Sequence, residues 1–152
     1  MKRMDGVVVG IVKEIDAKGG RLKVEYPWMK SSVRSGWAPV ASILAGKGRG
    51  AFFMPEVDDE ALVAFEHGDF DHPFIIGFLW NGVDQPPETT NKNRIIKTPG
   101  GHQLRFEDDG AKKILVKSNG GLEIVLDDGG DLIELHGGGR KITMKSGQVQ
   151  IT

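Results

Sequence analysis

Along the last third of the chain, apolar residues stand two apart with polar residues between them, in six short segments. The pairs are Leu104 and Phe106, Ile114 and Val116, Ile124 and Leu126, Ile133 and Leu135, Ile142 and Met144, and Val149 and Ile151. Alternation with period two predicts strands with one apolar face. Successive pairs begin 10, 10, 9, 9 and 7 residues apart, and between them lie Asp109-Gly110, Asn119-Gly120-Gly121, Asp128-Gly129-Gly130, Gly137-Gly138-Gly139 and Ser146-Gly147. Gly and Asn in such positions make tight turns. This spacing fits a hairpin meander or a β-helical stack, and periodicity does not separate the two. In either case twelve apolar side chains share a face that nothing else in the segment can cover. At roughly 1.5–3 kcal/mol per fully buried side chain, that face calls for a partner. Three identical copies packed face to face around an axis would enclose it, so a homotrimer is expected.

The earlier part of the chain reads differently. Residues 6–15 are β-branched, residues 21–28 alternate Leu22, Val24 and Tyr26 with Arg21, Lys23 and Glu25, and residues 61–66 and 74–80 form two further apolar runs. Gly19-Gly20 and Gly68-Asp69 supply turns between them. About five strands with no partner sheet elsewhere predict a small closed barrel of OB type, because closure removes free sheet edges. A short helix is expected somewhere in residues 40–45. The stretch 84–98 is polar and rich in proline at its start, and so reads as a linker. The expected organisation is all-β: a barrel over residues 1–83, a linker over 84–98, and a strand-repeat unit over 99–152. The placement of Leu132 against Ile133 is open, since a one-residue slip at the preceding Gly-Gly turn would exchange them. Leu115 and Val125 are apolar on the presumed outer face.

Composition narrows the function classes. With 20 basic and 21 acidic side chains and a net charge of -1, the chain lacks the basic excess that supplies most nucleic-acid affinity. It has no cysteine, which removes disulfides, thiolate nucleophiles and cysteine-bound zinc. The apolar run Val7 to Val12 is soon followed by Lys13 and Glu14, too early for a signal-peptide core, and no run approaches the roughly 20 residues of a spanning helix. A soluble protein made in the cytoplasm is expected.

Several groups have the residue types of a chemical site. His67, Asp69, Asp71 and His72 could hold a hard metal or support hydrolysis, but they flank a turn, where carboxylates commonly bind backbone amides. Asp127-Asp128-Gly129-Gly130-Asp131 has calcium-loop chemistry without the recurring order such repeats need. Gly46-Lys47-Gly48-Arg49-Gly50 lacks the Lys-Ser/Thr ending of a phosphate loop. Trp28, Trp37, Trp80, Phe52 and Phe53 could stack bases, although aromatics at barrel strand ends more often pack in the core or against subunits. No nucleophile elbow occurs. The expectation is no catalysis, no metal and no cofactor, with an OB nucleic-acid module and a metal-dependent hydrolase as alternatives.

Five blocks in order carry a resemblance: Gly20-Arg21-Leu22-Lys23-Val24-Glu25-Tyr26-Pro27-Trp28; Ser35-Gly36-Trp37-Ala38-Pro39-Val40; Gly46 to Gly50; Met54-Pro55-Glu56-Val57-Asp58-Asp59-Glu60-Ala61-Leu62-Val63; and Glu66-His67-Gly68-Asp69-Phe70-Asp71-His72-Pro73 through Gly82. This series resembles the OB domain of the phage baseplate assembly protein V and valine-glycine-repeat G spikes, and the repeats after Thr98-Pro99-Gly100-Gly101 resemble their intertwined, triple-stranded β-helix. The resemblance implies a trimeric, membrane-puncturing spike at the tip of a phage tail, tailocin or type VI secretion machine, with the twelve apolar residues as its trimer core. It further implies assembly in the bacterial cytoplasm, outward delivery and transient contact with a target membrane. Longer relatives carry a fused hub domain, a lysozyme-like insertion or a His-x-His tip, none of which this sequence shows. A separate hub protein is therefore expected at the barrel end. A tip protein of the proline-alanine-alanine-arginine (PAAR) type is expected on Val149, Gln150, Ile151 and Thr152.

Overall fold

The computed structural model describes residues 3–110 and 112–152, and the chain divides into two compact units, Met1–Gln85 and Pro86–Thr152. The first contains β1 (Val7–Asp16), β2 (Arg21–Glu25), β3 (Ala38–Pro39), β4 (Ala45–Gly46), β5 (Arg49–Gly50), β6 (Glu60–Phe65) and β7 (Pro73–Leu79). Five of these form one antiparallel sheet in the order β3-β2-β1-β6-β7. β1 is long enough to pair with two neighbours, β6 through its first half and β2 through its second, and a register shift between Val12 and Glu14 bends it between them. Such a bulge increases local twist and lets a small sheet curl. A parallel bridge between Val40 and Ile75 then closes the sheet on itself, with the Ala41 amide donating to the Ile75 carbonyl at 2.8 Å.

Alternate residues of these strands fill the barrel: Val12, Leu22, Val24, Tyr26, Ala38, Ala61, Val63 and Ile75 are fully buried, and Phe65 closes one end. Tyr26 packs its ring against Trp28, Phe65 and Phe70 at centroid distances of 5.7, 6.2 and 5.3 Å. Burial pushes its phenol up to about 12, offset in part by the nearby Ser35 hydroxyl. That hydroxyl accepts from the Val24 amide at 3.0 Å and donates to the Gly36 carbonyl at 2.7 Å. The helix expected in residues 40–45 does not form. The glycine-rich run 46–50 favours a tight turn over a helix, and β4 and β5 make a hairpin whose turn uses Gly48 at φ 66°. The Ser42 hydroxyl ties its base to the Leu44 and Ala51 carbonyls.

The second unit is a seven-stranded antiparallel meander: β8 (Asn93–Lys97), β9 (Gln103–Glu107), β10 (Lys113–Lys117), β11 (Glu123–Asp127), β12 (Leu132–Gly137), β13 (Arg140–Lys145) and β14 (Gln148–Ile151). Of the two arrangements the spacing allowed, one chain makes the meander. β8 lies within the stretch expected as linker, where Asn93, Arg94 and Lys97 are polar and the adjacent Ile95 and Ile96 face opposite sides, so no apolar alternation marks it. It pairs with β9 over its whole length. Glu88 fastens the segment before it, accepting from the Thr89 and Thr90 amides and the Asn93 side chain and pairing with Arg105 at 2.8 Å.

Gly10 sits where the barrel core leaves no room for a side chain. A methyl group there would stand 2.8 Å from a Val24 methyl and 3.3 Å from one of Val63. Gly10→Ala is therefore expected to destabilise the barrel by about 1–3 kcal/mol through overpacking. All three tryptophans lie before residue 81, so denaturant unfolding followed by tryptophan fluorescence reads this unit selectively. An unchanged midpoint would contradict the expectation.

Candidate assembly face

The register of the meander sorts its side chains into two faces. On one face Ile96, Leu104, Val116, Ile124, Leu135, Ile142 and Ile151 stand directly opposite one another from strand to strand, as do Arg94, Phe106, Ile114, Leu126, Ile133, Met144 and Val149. All twelve residues expected to face inward thus occupy two continuous rows on one face. Leu126 lies opposite Ile133 and Asp127 opposite Leu132, which sets Ile133 in the apolar row and Leu132 on the other side. Cross-strand apolar pairs each contribute about 0.2–1 kcal/mol to holding the sheet. They leave the outer surface of the rows uncovered: Phe106 is 38% exposed, Val116 46% and Ile151 74%.

The other face is closed by its own charges. Lys113 pairs with Asp127 at 3.0 Å, Arg105 with Glu88 at 2.8 Å and with Glu107 at 2.9 Å, and Glu134 with both Lys141 and His136. Long side chains that lay their apolar stems along a sheet cover it while keeping the charged ends wet. Val125 is only 9% exposed beneath them, and Leu115 and Ile95 are half-buried. That accounts for apolar residues on the outer face. The hydrogen bond from Lys113 holds the Asp127 carboxyl below its ordinary value, and those from Lys141 and His136 do the same for Glu134.

β14 stands at one edge of the sheet, and among the described residues no strand pairs with its outer side. Val149, Gln150, Ile151 and Thr152 are all exposed there, and the Thr152 amide and carbonyl both bond Lys141. The four residues sit together at the free edge. An exposed edge with apolar side chains invites pairing or a cap.

The alternative chemical groups are largely occupied within their own turns. Asp69 accepts from the Asp71 amide and from His72 at 2.9 Å, and these bonds lower its pKa. His67 belongs to a three-residue turn of 3₁₀ helix, Glu66–Gly68, at φ 50°, and among the described residues no group of three His, Asp or Glu is arranged to hold a metal. Asp127 spends its oxygens on Lys113 and the Gly130 amide. Trp28 donates to the Val9 carbonyl, and Trp37 lies under Lys23 at 4.6 Å. Trp80, Phe52 and Phe53 are exposed. Two features were missed from sequence: the extension of the apolar rows into β8, and an apolar cavity of about 610 Å³ lined by the 40–54 loop, Gly20 and Phe78. For the first, the sequence carried no alternation signal, since Ile95 and Ile96 are adjacent and Arg94 holds the second row position.

A closed barrel followed by a sheet with one bare apolar face is the plan of an injector spike subunit. The chain belongs to the phage baseplate V family: residues 5–80 match the type VI secretion system/phage-baseplate injector OB domain, and residues 93–152 match the phage baseplate V C-terminal trimerisation domain. Similar proteins include the type VI secretion system spike proteins VgrG5 of Pseudomonas aeruginosa, 35% identical over 64% of this chain, and VgrG3 of Vibrio cholerae, 32% identical over 64%. The actin cross-linking toxin VgrG1 of Vibrio cholerae is 30% identical over 62% of the chain. The matched region amounts to only 10–14% of these relatives' lengths. The trimerisation domain supports a homotrimer.

The charged face gives a pH dependence of definite sign. Glu88, Asp127 and Glu134 all have lowered pKa values in the folded chain. Their stabilising contacts are therefore complete above the ordinary values of 4.5 for Glu and 3.8 for Asp, and are lost as pH falls through the lowered ones. The melting temperature followed by circular dichroism should decline on acidification through this range. Glu134→Gln should flatten the decline, and an unaltered slope would show that Glu134 carries none of it.

Proposed function

We propose that this chain is the central spike of a contractile injection machine, acting mechanically and without catalysis. Three copies bury their apolar faces against one another and form the trimeric β-helix. Seven strands at about 4.8 Å spacing make a rod about 30 Å long. The observation that carries this reading is the pair of continuous apolar rows, bare in one chain, on a unit belonging to a trimerisation family. Coupling the chains through a dry core makes their separation slow, which a device driven through an envelope requires.

In this reading a separate hub protein joins the spike to the inner tube at the barrels, whose uncovered apolar loop carries Ile43, Leu44, Phe52 and Phe53. A PAAR-type tip protein caps Val149, Gln150, Ile151 and Thr152. The spike assembles in the bacterial cytoplasm and meets the target membrane only while it is driven outward. The near balance of charge favours this over a nucleic-acid module, and the self-satisfied turn at Asp69 favours it over a hydrolase.

Light scattering on a size-exclusion column should give a mass near three times 16.6 kDa, unchanged on dilution. Leu126→Asp would place a charge in the shared core, where each buried ion costs several kcal/mol, and should abolish the trimer. Thr143→Lys, on the opposite face, should leave the mass unaltered. A stable monomer of the unsubstituted chain would end the spike reading.

The tip assignment has its own check. Val149→Asp together with Ile151→Asp should abolish capture of a co-expressed PAAR-type protein encoded beside this one. Capture that survives the double substitution would place the tip elsewhere.

A further inference from the structure

The two rows have one exception to their apolar character, and it lies at their start. Of the fourteen residues in the rows, thirteen are Ile, Leu, Val, Phe or Met, and the fourteenth is Arg94, directly opposite Phe106. Its guanidinium donates to the Asp108 carboxylate at 2.8 Å and to the Lys92 carbonyl at 2.8 Å. Arg94 and Asp108 are each 63% exposed in the single chain. The ion pair therefore terminates the apolar face at β8.

Across the strands that still overlap, the thirteen apolar residues do not distinguish one alignment of the copies from another, so a displacement costs only the cover lost at the ends of the rod. Neighbouring strands are antiparallel, so a copy displaced by two strands keeps its strand direction and still sets aliphatic side chains against aliphatic side chains. Arg94 breaks that equivalence. Such a displacement, in either direction, brings Arg94 of one copy level with Ile114 of another, and a guanidinium is then covered by apolar surface. A charge excluded from a dry core costs little stability in register and penalises every other register, as a lone polar residue does in a coiled coil.

We propose that Arg94, held by Asp108, is the axial stop that fixes the register of the three chains. The partner surface is the same face of a second and a third copy, so the inference rests on the trimeric reading above. In register, three Arg94–Asp108 pairs lie level at one end of the core.

The chain has no cysteine, which makes disulfide mapping a direct test. Two copies carrying tags of different size are co-expressed, one with Ile114→Cys and the other with Ile133→Cys, and trimers containing both tags are purified and oxidised. A second pair carries Ile114→Cys on both tags. In register, positions 114 and 133 are two strands, about 10 Å, apart, beyond the roughly 7 Å that a disulfide can bridge. With Arg94 present, only the matched 114–114 bond should join the two tags. With Arg94→Leu or Arg94→Met in both copies, the offset 114–133 bond should appear, while Arg94→Lys should keep the matched bond alone.

Neutral variants that retain only the matched bond would overturn the proposal. So would an offset bond with Arg94 present, or the absence of the matched bond at a three-chain mass. Loss of the trimer in both neutral variants would overturn it too, because Arg94 would then be needed for assembly itself. A one-chain mass for the unsubstituted protein would instead remove the trimeric reading on which the proposal stands.

Discussion

One apolar surface governs this molecule, the face of the meander that its own chain leaves bare. Burying the second sheet's aliphatic residues against one another within a chain would require a second layer, and the 67 residues of Pro86–Thr152 build only one. A single antiparallel sheet can face water on one side. Here that side is already taken, because Lys113 pairs with Asp127, Arg105 with Glu88 and Glu107, and Lys141 with Glu134, on the face where Val125 is only 9% exposed. The polar side is thus finished within the chain and the apolar side is not. In the proposed trimer, identical rows meeting around an axis finish it without new chemistry.

The local choices in the sequence agree with that outcome. Short strands joined by glycine turns keep the sheet narrow, and at Gly101, with φ 85°, an added methyl would meet the Asn119 side chain at 2.7 Å. The matched register from β8 to β14 keeps both rows unbroken. A single slip would have turned a strand's apolar residues outward among the ion pairs. In the barrel the same demand is met differently. Closure through Val40 and Ile75 lets one chain bury its own core.

What could be read from the sequence followed from periodicity. Period-two alternation located the six repeat strands and put on one face twelve of the fourteen residues of the two rows, and β-branched runs located the barrel strands. β8 escaped because Asn93, Arg94 and Lys97 surround two adjacent isoleucines that face opposite sides, which leaves a polar composition and no alternation. The hairpin at Ala45–Gly50 escaped because two-residue strands carry no periodic signal at all. The burial of Val125 also lay beyond pattern reading. It depends on where the long stems of distant charged residues come to rest, which is a matter of tertiary packing.

Placing cohesion on one face and charge on the other also separates how each responds to its surroundings. Ion pairs between exposed groups weaken with salt, and these carboxylates lose their contacts as they protonate. Contact among the thirteen apolar residues of the rows contains nothing that titrates, and screening does not touch it. A trimer held by those rows therefore keeps its chains together across changes of pH and ionic strength that would loosen its outer face. In the proposed spike, which would leave one compartment and enter another during a single stroke, that division puts the coupling between chains in the part of the structure least sensitive to the medium.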